Sequence, residues 1–135
     1  MRAVADAFLK SAIQFAAQPY DQDVVKLAKA NTAFRRVILT GEHLQIVIMS
    51  LEPGQNIGME THSDTDQTLL FVKGKGQAKI GDLERPVKKG SLAFVPAGTQ
   101  HDFTNTGNKQ LKLVTVYSPP EHESGTVELT KPNAK

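Results

Sequence analysis

The sequence contains no cysteine and no tryptophan, and it has only two tyrosines among its 135 residues. The absence of cysteine excludes disulfide bonds and thiolate metal sites, so any bound metal must take nitrogen and oxygen ligands. It also fits a cytoplasmic protein, because reducing compartments do not support disulfides. No apolar run approaches the roughly 18–20 residues of a membrane span. We therefore expect no membrane segment.

Excess charge of one sign is also lacking. The formal net charge is +2, and charged residues make up 22% of the chain. The lysines are scattered and form no basic stripe interleaved with aromatic residues, so a nucleic-acid partner has little support. With 39% hydrophobic residues, the chain has the composition of one ordinary globular domain with a single core.

The N-terminal region predicts helices. Apolar residues recur at helical spacing in the first seventeen residues, which favours an amphipathic helix; the alternative is a cleaved targeting leader. The helix should end near Pro19, and Asp21 or Asp23 would cap a second, short helix. We assign residues 1–31 to an N-terminal helical extension and residues 32–135 to the main domain with a C-terminal tail.

From residue 34 onward the pattern changes to that of short strands. About eight runs rich in β-branched and aromatic residues are separated by glycine-containing turns, which favours a β-sandwich or barrel. In the last run, Leu111, Leu113 and Tyr117 share one face and Val114 lies on the other. A strand that is apolar on both faces needs a second layer, either another sheet or a dimer partner. The predicted strands are 36–40, 44–51, 68–72, 77–80, 85–87, 92–95, 100–104 and 111–117.

Four residues are candidate metal ligands: Glu60, His62, Gln67 and His101. On a strand, Glu60 and His62 would lie on one face, about 6–7 Å apart. Gln67 follows a turn, and His101 follows a Pro-x-Gly turn. A lone Glu-x-His is more often a polar strand face than a metal site. Together, however, one carboxylate, two imidazoles and one amide oxygen suit Fe, Mn, Ni, Zn or Cu better than Ca or Mg.

At these residues the chain resembles the cupin superfamily. The first cupin motif places a His-x-His pair and a glutamate between two glycines, and this chain matches its spacing with Glu60-x-His62 and Gln67. Glu60 replaces the first histidine and Gln67 replaces the glutamate. The second motif is a glycine, a Pro-x-Gly turn, a histidine and an asparagine, and every fixed position matches. Gly54 and Gly74 match the two glycines of the first motif. The residues that match the second motif are Gly90, Pro96, Gly98, His101 and Asn105.

The chain looks most like a group of small single-domain bacterial cupins with a Gly-x-Glu-x-His…Asp-Gln pattern. Here that pattern runs from Gly58 to Gln67, and the group's Pro-Pro-x-His tail is matched at 119–122. The resemblance implies an all-β fold: a small antiparallel jelly-roll barrel, here with an N-terminal helical extension. It also implies one divalent metal held by the four candidates. Asp66 is the alternative third ligand, but the spacing to Gly74 favours Gln67.

The resemblance implies a metal-dependent enzyme acting on a small organic molecule, since cupin relatives include dioxygenases, decarboxylases and sugar-phosphate isomerases. The alternative is a non-catalytic module that binds or senses a small ligand and carries a structural metal. We expect a homodimer, because a small barrel with two-sided apolar strands and a free edge needs cover.

The remaining histidines and aromatic residues are expected to have structural roles. His43 is interpreted as a surface histidine. His122 is interpreted as a loop histidine, with a cover over the barrel mouth as the alternative. Tyr117 is interpreted as a buried tyrosine with a satisfied hydroxyl, with a proton donor in the cavity as the alternative. Four further apolar residues are expected to line the barrel or fill its core: Met59, Phe71, Phe94 and Phe103.

Overall fold

The computed structural model describes residues 18–132 together with Leu9, so the predicted first helix lies outside the described residues except at that one helical position. The predicted second helix is confirmed as α1, Val24–Ala30. The side chain of Asp23 caps it by accepting the N–H of Lys26 at 3.0 Å. Within the described residues, no helix is long and apolar enough to cross a membrane.

Each of the eight predicted runs contains a strand, with bounds that differ by a few residues at most. A ninth strand of two residues lies in the tail, where the sequence analysis expected only a surface wrap. The strands are β1 (Arg35–Thr40), β2 (Gln45–Leu51), β3 (Asp66–Lys73), β4 (Lys75–Ile80), β5 (Leu83–Lys88), β6 (Leu92–Val95), β7 (His101–Asn105), β8 (Leu111–Ser118) and β9 (Val127–Glu128).

The strands form two antiparallel sheets. The larger sheet has the order β6-β3-β8-β2-β1-β9, and the smaller has the order β5-β4-β7. Apart from β1 and β2, neighbours in the large sheet are far apart in sequence, as in the pairing of β8 with both β2 and β3. This connectivity confirms the predicted all-β jelly-roll fold.

The core is divided into two layers by the large sheet. One cluster lies between the two sheets and includes Leu111, Leu113 and Tyr117 of β8. The other lies on the outer face of the large sheet, where Val114 packs with residues of α1 and with Leu9. The predicted division of β8 into two apolar faces is therefore confirmed, with a sheet covering one face and helical residues covering the other.

Of the four apolar residues predicted to line the barrel or fill its core, two are buried there and two are exposed. Phe71 and Phe103 are buried in the core between the sheets, as expected. Met59 and Phe94 are 47% and 53% exposed, so their assignment to the core or barrel lining is wrong. Phe94 lies on the edge strand β6, where alternation turns its side chain outward.

Candidate metal centre

The segment before β3 meets the start of β7 at one point. Glu60 and His101 form an isolated antiparallel bridge, in which each backbone N–H donates to the other residue's carbonyl at 2.9 Å. Directly opposed residues in such a bridge direct their side chains to the same face. Along β7, burial alternates so that His101 and Phe103 share the buried face. The bridge therefore directs Glu60 and His101 to the space between the sheets.

The strand expected for Glu60 and His62 is not present. Between β2 and β3 the described chain makes only isolated bridges, at Asn56 and Glu60. Gly58, with a φ of 124°, lies between these two bridges in a conformation that does not continue a regular strand. His62 is instead positioned by the turn at 96–98, because its carbonyl accepts the N–H of Gly98 at 2.8 Å.

That turn depends on Gly98, whose φ of 83° is a left-handed conformation that favours glycine. The turn is held from a second side by Asp66, whose Oδ1 accepts the N–H of Ala97 at 2.9 Å. The Pro-x-Gly turn therefore supports the backbone of His62, and that it fixes the direction of His101 stays a prediction.

These backbone contacts bring three of the four predicted ligands together. One potential ligand atom from each of Glu60, His62 and His101 lies within 4.8 Å of the other two. The two histidines are buried, with 8% and 3% exposure, and their ring centroids are 5.1 Å apart. Two imidazoles and one carboxylate at this separation could hold a divalent transition-metal ion.

In each histidine, the Nδ1 ring nitrogen lies within reach of an oxygen atom that can accept its hydrogen. Nδ1 of His101 lies 2.9 Å from the carbonyl oxygen of Thr99, which can only accept. Nδ1 of His62 lies 3.2 Å from Oε2 of Glu121. Donation from both Nδ1 atoms leaves both Nε2 atoms as lone-pair donors, the form that a metal requires. Nε2 of His62 is buried and has no hydrogen-bond partner.

Gln67 lies on the inner face of β3, and its cross-strand neighbour on β8 is Tyr117. Its amide Nε2 donates to Oγ1 of Thr115 at 3.0 Å, while its Oε1 is buried without a partner. Asp66 is exposed and uses Oδ1 at the turn. Of the two candidates for the third ligand position, only Gln67 has its side chain buried. Its role as a ligand remains a prediction.

The C-terminal tail also reaches the site. The buried side chain of Gln45 holds the backbone of His122, accepting its N–H at 2.9 Å and donating to its carbonyl at 2.7 Å. The adjacent Glu121 thereby contacts His62. The ring of His122 packs edge-on against Tyr117 at 5.1 Å, and Tyr117 in turn packs edge-on against His62 at 5.7 Å. His122 lies in a loop, as predicted, and its half-buried ring packs on Tyr117.

Burial controls the ionisation of these two rings. It raises the pKa of Tyr117 well above its usual range, and the charge of Arg35 opposes this rise only in part. Burial, followed by the charge of Arg35, lowers the pKa of His122 to about 4. Near neutral pH, Tyr117 is therefore a protonated phenol and His122 is a neutral imidazole.

Sequence reasoning missed Gln45 and Glu121. Glu121 lies 59 positions after the histidine it contacts, and no local pattern indicates a contact at that separation. The tail similarity that includes 119–122 was the one available signal. His43, by contrast, is a surface residue as predicted, with a side chain 86% exposed.

Two sheets enclose two buried histidines and a half-buried carboxylate that could hold a metal ion, an arrangement typical of one class of β-barrel. The family model described as the Cupin domain matches residues 47–117, which include all four predicted ligands. The chain belongs to the cupin family, and the resemblance inferred from its motifs is confirmed.

Similar proteins cover most of the chain. The uncharacterized protein YrkC of Bacillus subtilis is 41% identical over 123 residues, which are 87% of this chain and 66% of YrkC. A crystal structure of a Bacillus halodurans protein is similar with a TM-score of 0.86 and 38% identity, covering 88% of this chain and 95% of that chain. This chain thus spans about two thirds of YrkC and nearly all of the Bacillus halodurans protein.

A more distant structural neighbour comes from Thermotoga maritima and is described as a predicted oxalate decarboxylase. It has a TM-score of 0.54 and 26% identity, covering 56% of this chain and 66% of that chain. In sequence, an oxalate-binding protein of the same organism is 29% identical over 68 residues, which are 50% of this chain and 56% of that protein.

Proposed function

We propose that this protein is a metal-dependent enzyme that acts on a small organic molecule at one divalent ion, held by Glu60, His62, Gln67 and His101. The observation that carries the proposal is a pair of buried acceptors without partners, Nε2 of His62 and Oε1 of Gln67. Buried polar atoms without partners are rare in native proteins and need an explanation. A bound cation supplies one for both.

The donor set limits the identity of the ion. A carboxylate, two neutral imidazoles and an amide oxygen suit Fe, Mn, Zn, Ni or Cu. Such an ion polarises a bound carbonyl or carboxylate, or activates dioxygen where iron is bound. Glu60 contributes the one negative charge among the four side chains, and Glu121 holds the ring of His62 in the ligating tautomer.

The surrounding residues restrict what the protein itself contributes to a reaction. The Tyr117 phenol stays protonated near neutral pH, so it can donate a hydrogen bond but does not act as a base. The Tyr117 ring packs against His62, and the neutral ring of His122 packs against Tyr117. The site thus combines a cation position with a hydrogen-bond donor and an aromatic wall.

Among oxygenase, lyase or decarboxylase, and isomerase chemistry, we favour decarboxylation or related lyase chemistry on a carboxylic acid. The support is the predicted oxalate decarboxylase and the oxalate-binding protein of Thermotoga maritima, which share 26% and 29% identity with this chain. A putative sugar phosphate isomerase is a further structural neighbour, but at 20% identity it indicates a shared fold alone.

Metal content tests the site directly. Purified wild type should contain about one divalent ion per chain by elemental analysis, as a single cupin-type cluster predicts. His62→Ala and His101→Ala should lose it. His43→Ala, which removes a surface histidine, should keep it. Absence of metal from the wild type after reconstitution would overturn the proposal.

The third ligand is tested by a second pair of variants. Gln67→Ala should weaken metal binding, because it removes the buried Oε1. Asp66→Ala should change metal affinity less, since that carboxylate serves the turn at 96–98. The reverse order would assign the position to Asp66. A fully loaded protein without turnover on carboxylic acids would favour the alternative function, a non-catalytic binding module.

A further inference from the structure

Arg35 occupies an unusual place for a cation. On β1 its neighbours in register are Met49 of β2 and Glu128 of β9. Met49 and the next inward residue of β1, Val37, both belong to the core between the sheets. Because cross-strand neighbours share a face, Arg35 lies on the inner face of the barrel, where it is 8% exposed.

The guanidinium of Arg35 is only partly satisfied. Nη1 forms an ion pair with Oε1 of Glu128, and the group lies over the ring of Phe34, 5.1 Å from its centroid. Nε is buried and has no hydrogen-bond partner. Buried polar groups without partners are rare and need an explanation. A guanidinium with an unused N–H can accept a carboxylate alongside an existing ion pair.

The charge of Arg35 acts on two aromatic rings, those of Tyr117 and His122, next to the candidate metal centre. Its charge acts on both Tyr117 and His122, whose rings are in contact with each other. The Tyr117 ring also contacts His62, and the charge of Glu60 acts on Tyr117. The charges of Arg35 and Glu60 therefore both act on Tyr117, whose ring contacts His62.

Among the buried arginine and lysine side chains of the described residues, only Arg35 is positioned to bind a ligand in the barrel. Lys112 donates to the carbonyls of Lys29 and Asn31, outside the large sheet at the end of α1. Arg36 donates to the side chain of Asn31 on that same side. A single guanidinium, with Glu128 already beside it, suits a carboxylate better than a phosphate, which carries more charge and is usually held by several cations.

We infer that Arg35 binds the carboxylate of an acidic small molecule inside the barrel, through N–H groups that include the unpaired Nε–H. The inference rests on the proposed function, in which the same molecule reaches the ion. Glu128 balances the charge of Arg35 when no ligand is present. Its side chain is 28% exposed on a two-residue edge strand, so it can yield space to an incoming anion.

Calorimetric titration with malonate tests this inference on zinc-loaded and metal-free protein, with malonamide as the uncharged probe of similar shape. Wild type should bind malonate and not malonamide. Arg35→Gln should weaken malonate binding by about tenfold or more, as expected for the loss of a charged hydrogen bond. Arg35→Lys should recover little of it, because an ammonium does not offer the paired N–H groups. The zinc content of both variants should equal that of wild type.

Two further variants complete the design. Arg85→Gln removes the same charge from an exposed position on β5, and it should bind malonate as wild type does. Glu128→Gln removes the competing carboxylate and should strengthen malonate binding. Malonate binding by Glu128→Gln therefore tests the role of Arg35 even if Arg35→Gln does not fold.

The outcomes separate the inference from the proposed function. Unchanged malonate affinity in Arg35→Gln, or equal binding of malonamide, would overturn the role of Arg35. Weaker or unchanged binding in Glu128→Gln would do the same. If the wild type takes up no zinc, the metal-dependent function fails, and the metal-free titration still decides whether Arg35 binds the carboxylate.

Discussion

At the scale of single residues, the site is defined as much by the partners of its histidines as by the histidines themselves. Thr99 and Glu121 each accept from an Nδ1 atom and leave the opposite ring nitrogen free. The two acceptors differ in kind, because one is a fixed backbone carbonyl and the other is a carboxylate on the tail. In the proposed metal centre the tail would therefore orient a ligand without contributing one.

The prediction at the scale of single residues concerns Glu121. Glu121→Gln keeps the size of the side chain but removes the charge that holds His62. We expect metal affinity to fall by about 10–100-fold, the usual effect of losing such a partner, with little change in the melting temperature of the metal-free protein. Competition with a chelator of known affinity measures the change.

Glu123→Gln is the matched control. Glu123 is an exposed tail residue whose recorded contacts use its backbone carbonyl, which accepts from Thr126. Equal metal affinity in Glu121→Gln and Glu123→Gln would show that the contact between Glu121 and His62 does not support the metal centre.

At the scale of elements, the sequence indicated most of the fold and part of the site. Runs such as 44–51 and 111–117 carry strong β-branched patterns, and glycine turns mark their ends. β9 was missed because two residues in a polar tail carry no pattern, and their pairing with β1 is a long-range contact. The side chains of Phe94 and Met59 were misplaced because apolar character alone does not show which face is covered.

The candidate ligands were found through motif spacing, and three of them do converge. The strand proposed for Glu60–His62 was wrong because the real arrangement is an isolated bridge to β7, which spacing along the chain cannot reveal. The contact of Arg35 with Glu128 and the clamp on His122 by Gln45 join residues 93 and 77 positions apart. No local sequence pattern predicts either of these two contacts.

The element-scale prediction concerns the approach of β4 to β7, the strand that begins with His101. A Cβ added at Gly76 of β4 would lie 2.4 Å from the backbone oxygen of Thr104 and 2.9 Å from a side-chain atom of Leu111. Gly76→Ala should therefore lower the free energy of unfolding by about 1–3 kcal/mol, as overpacked core positions do. Urea denaturation of the metal-free protein measures the loss.

Gly41→Ala provides the comparison, since a Cβ at Gly41 meets its nearest atom at 3.4 Å, without a left-handed backbone. Its free energy of unfolding should change by less than about 1 kcal/mol. If the two variants were equally stable, the close packing of β4 against β7 would not limit this part of the barrel.

At the scale of the whole molecule, the outer face of the large sheet is unevenly covered. Helix α1 and Leu9 cover its centre, where Ile48 and Val114 are buried. On the edge strand β6, Leu92 and Phe94 are 67% and 53% exposed. In the described part of the chain, β6 pairs only with β3. The sheet thus ends in a free edge that carries two large apolar side chains.

This edge is where we expect the predicted homodimer to form. Leu92 and Phe94 continue an apolar surface that includes Leu70 and the exposed Val25 of α1. A second copy would cover both the side chains and the free edge. Light scattering should give a dimeric mass for the wild type and a monomeric mass for Leu92→Glu combined with Phe94→Glu. Leu83→Glu, at a 45% exposed position on the small sheet, should remain dimeric. A monomeric wild type would contradict the homodimer, and a dimeric double variant would place the interface on another surface.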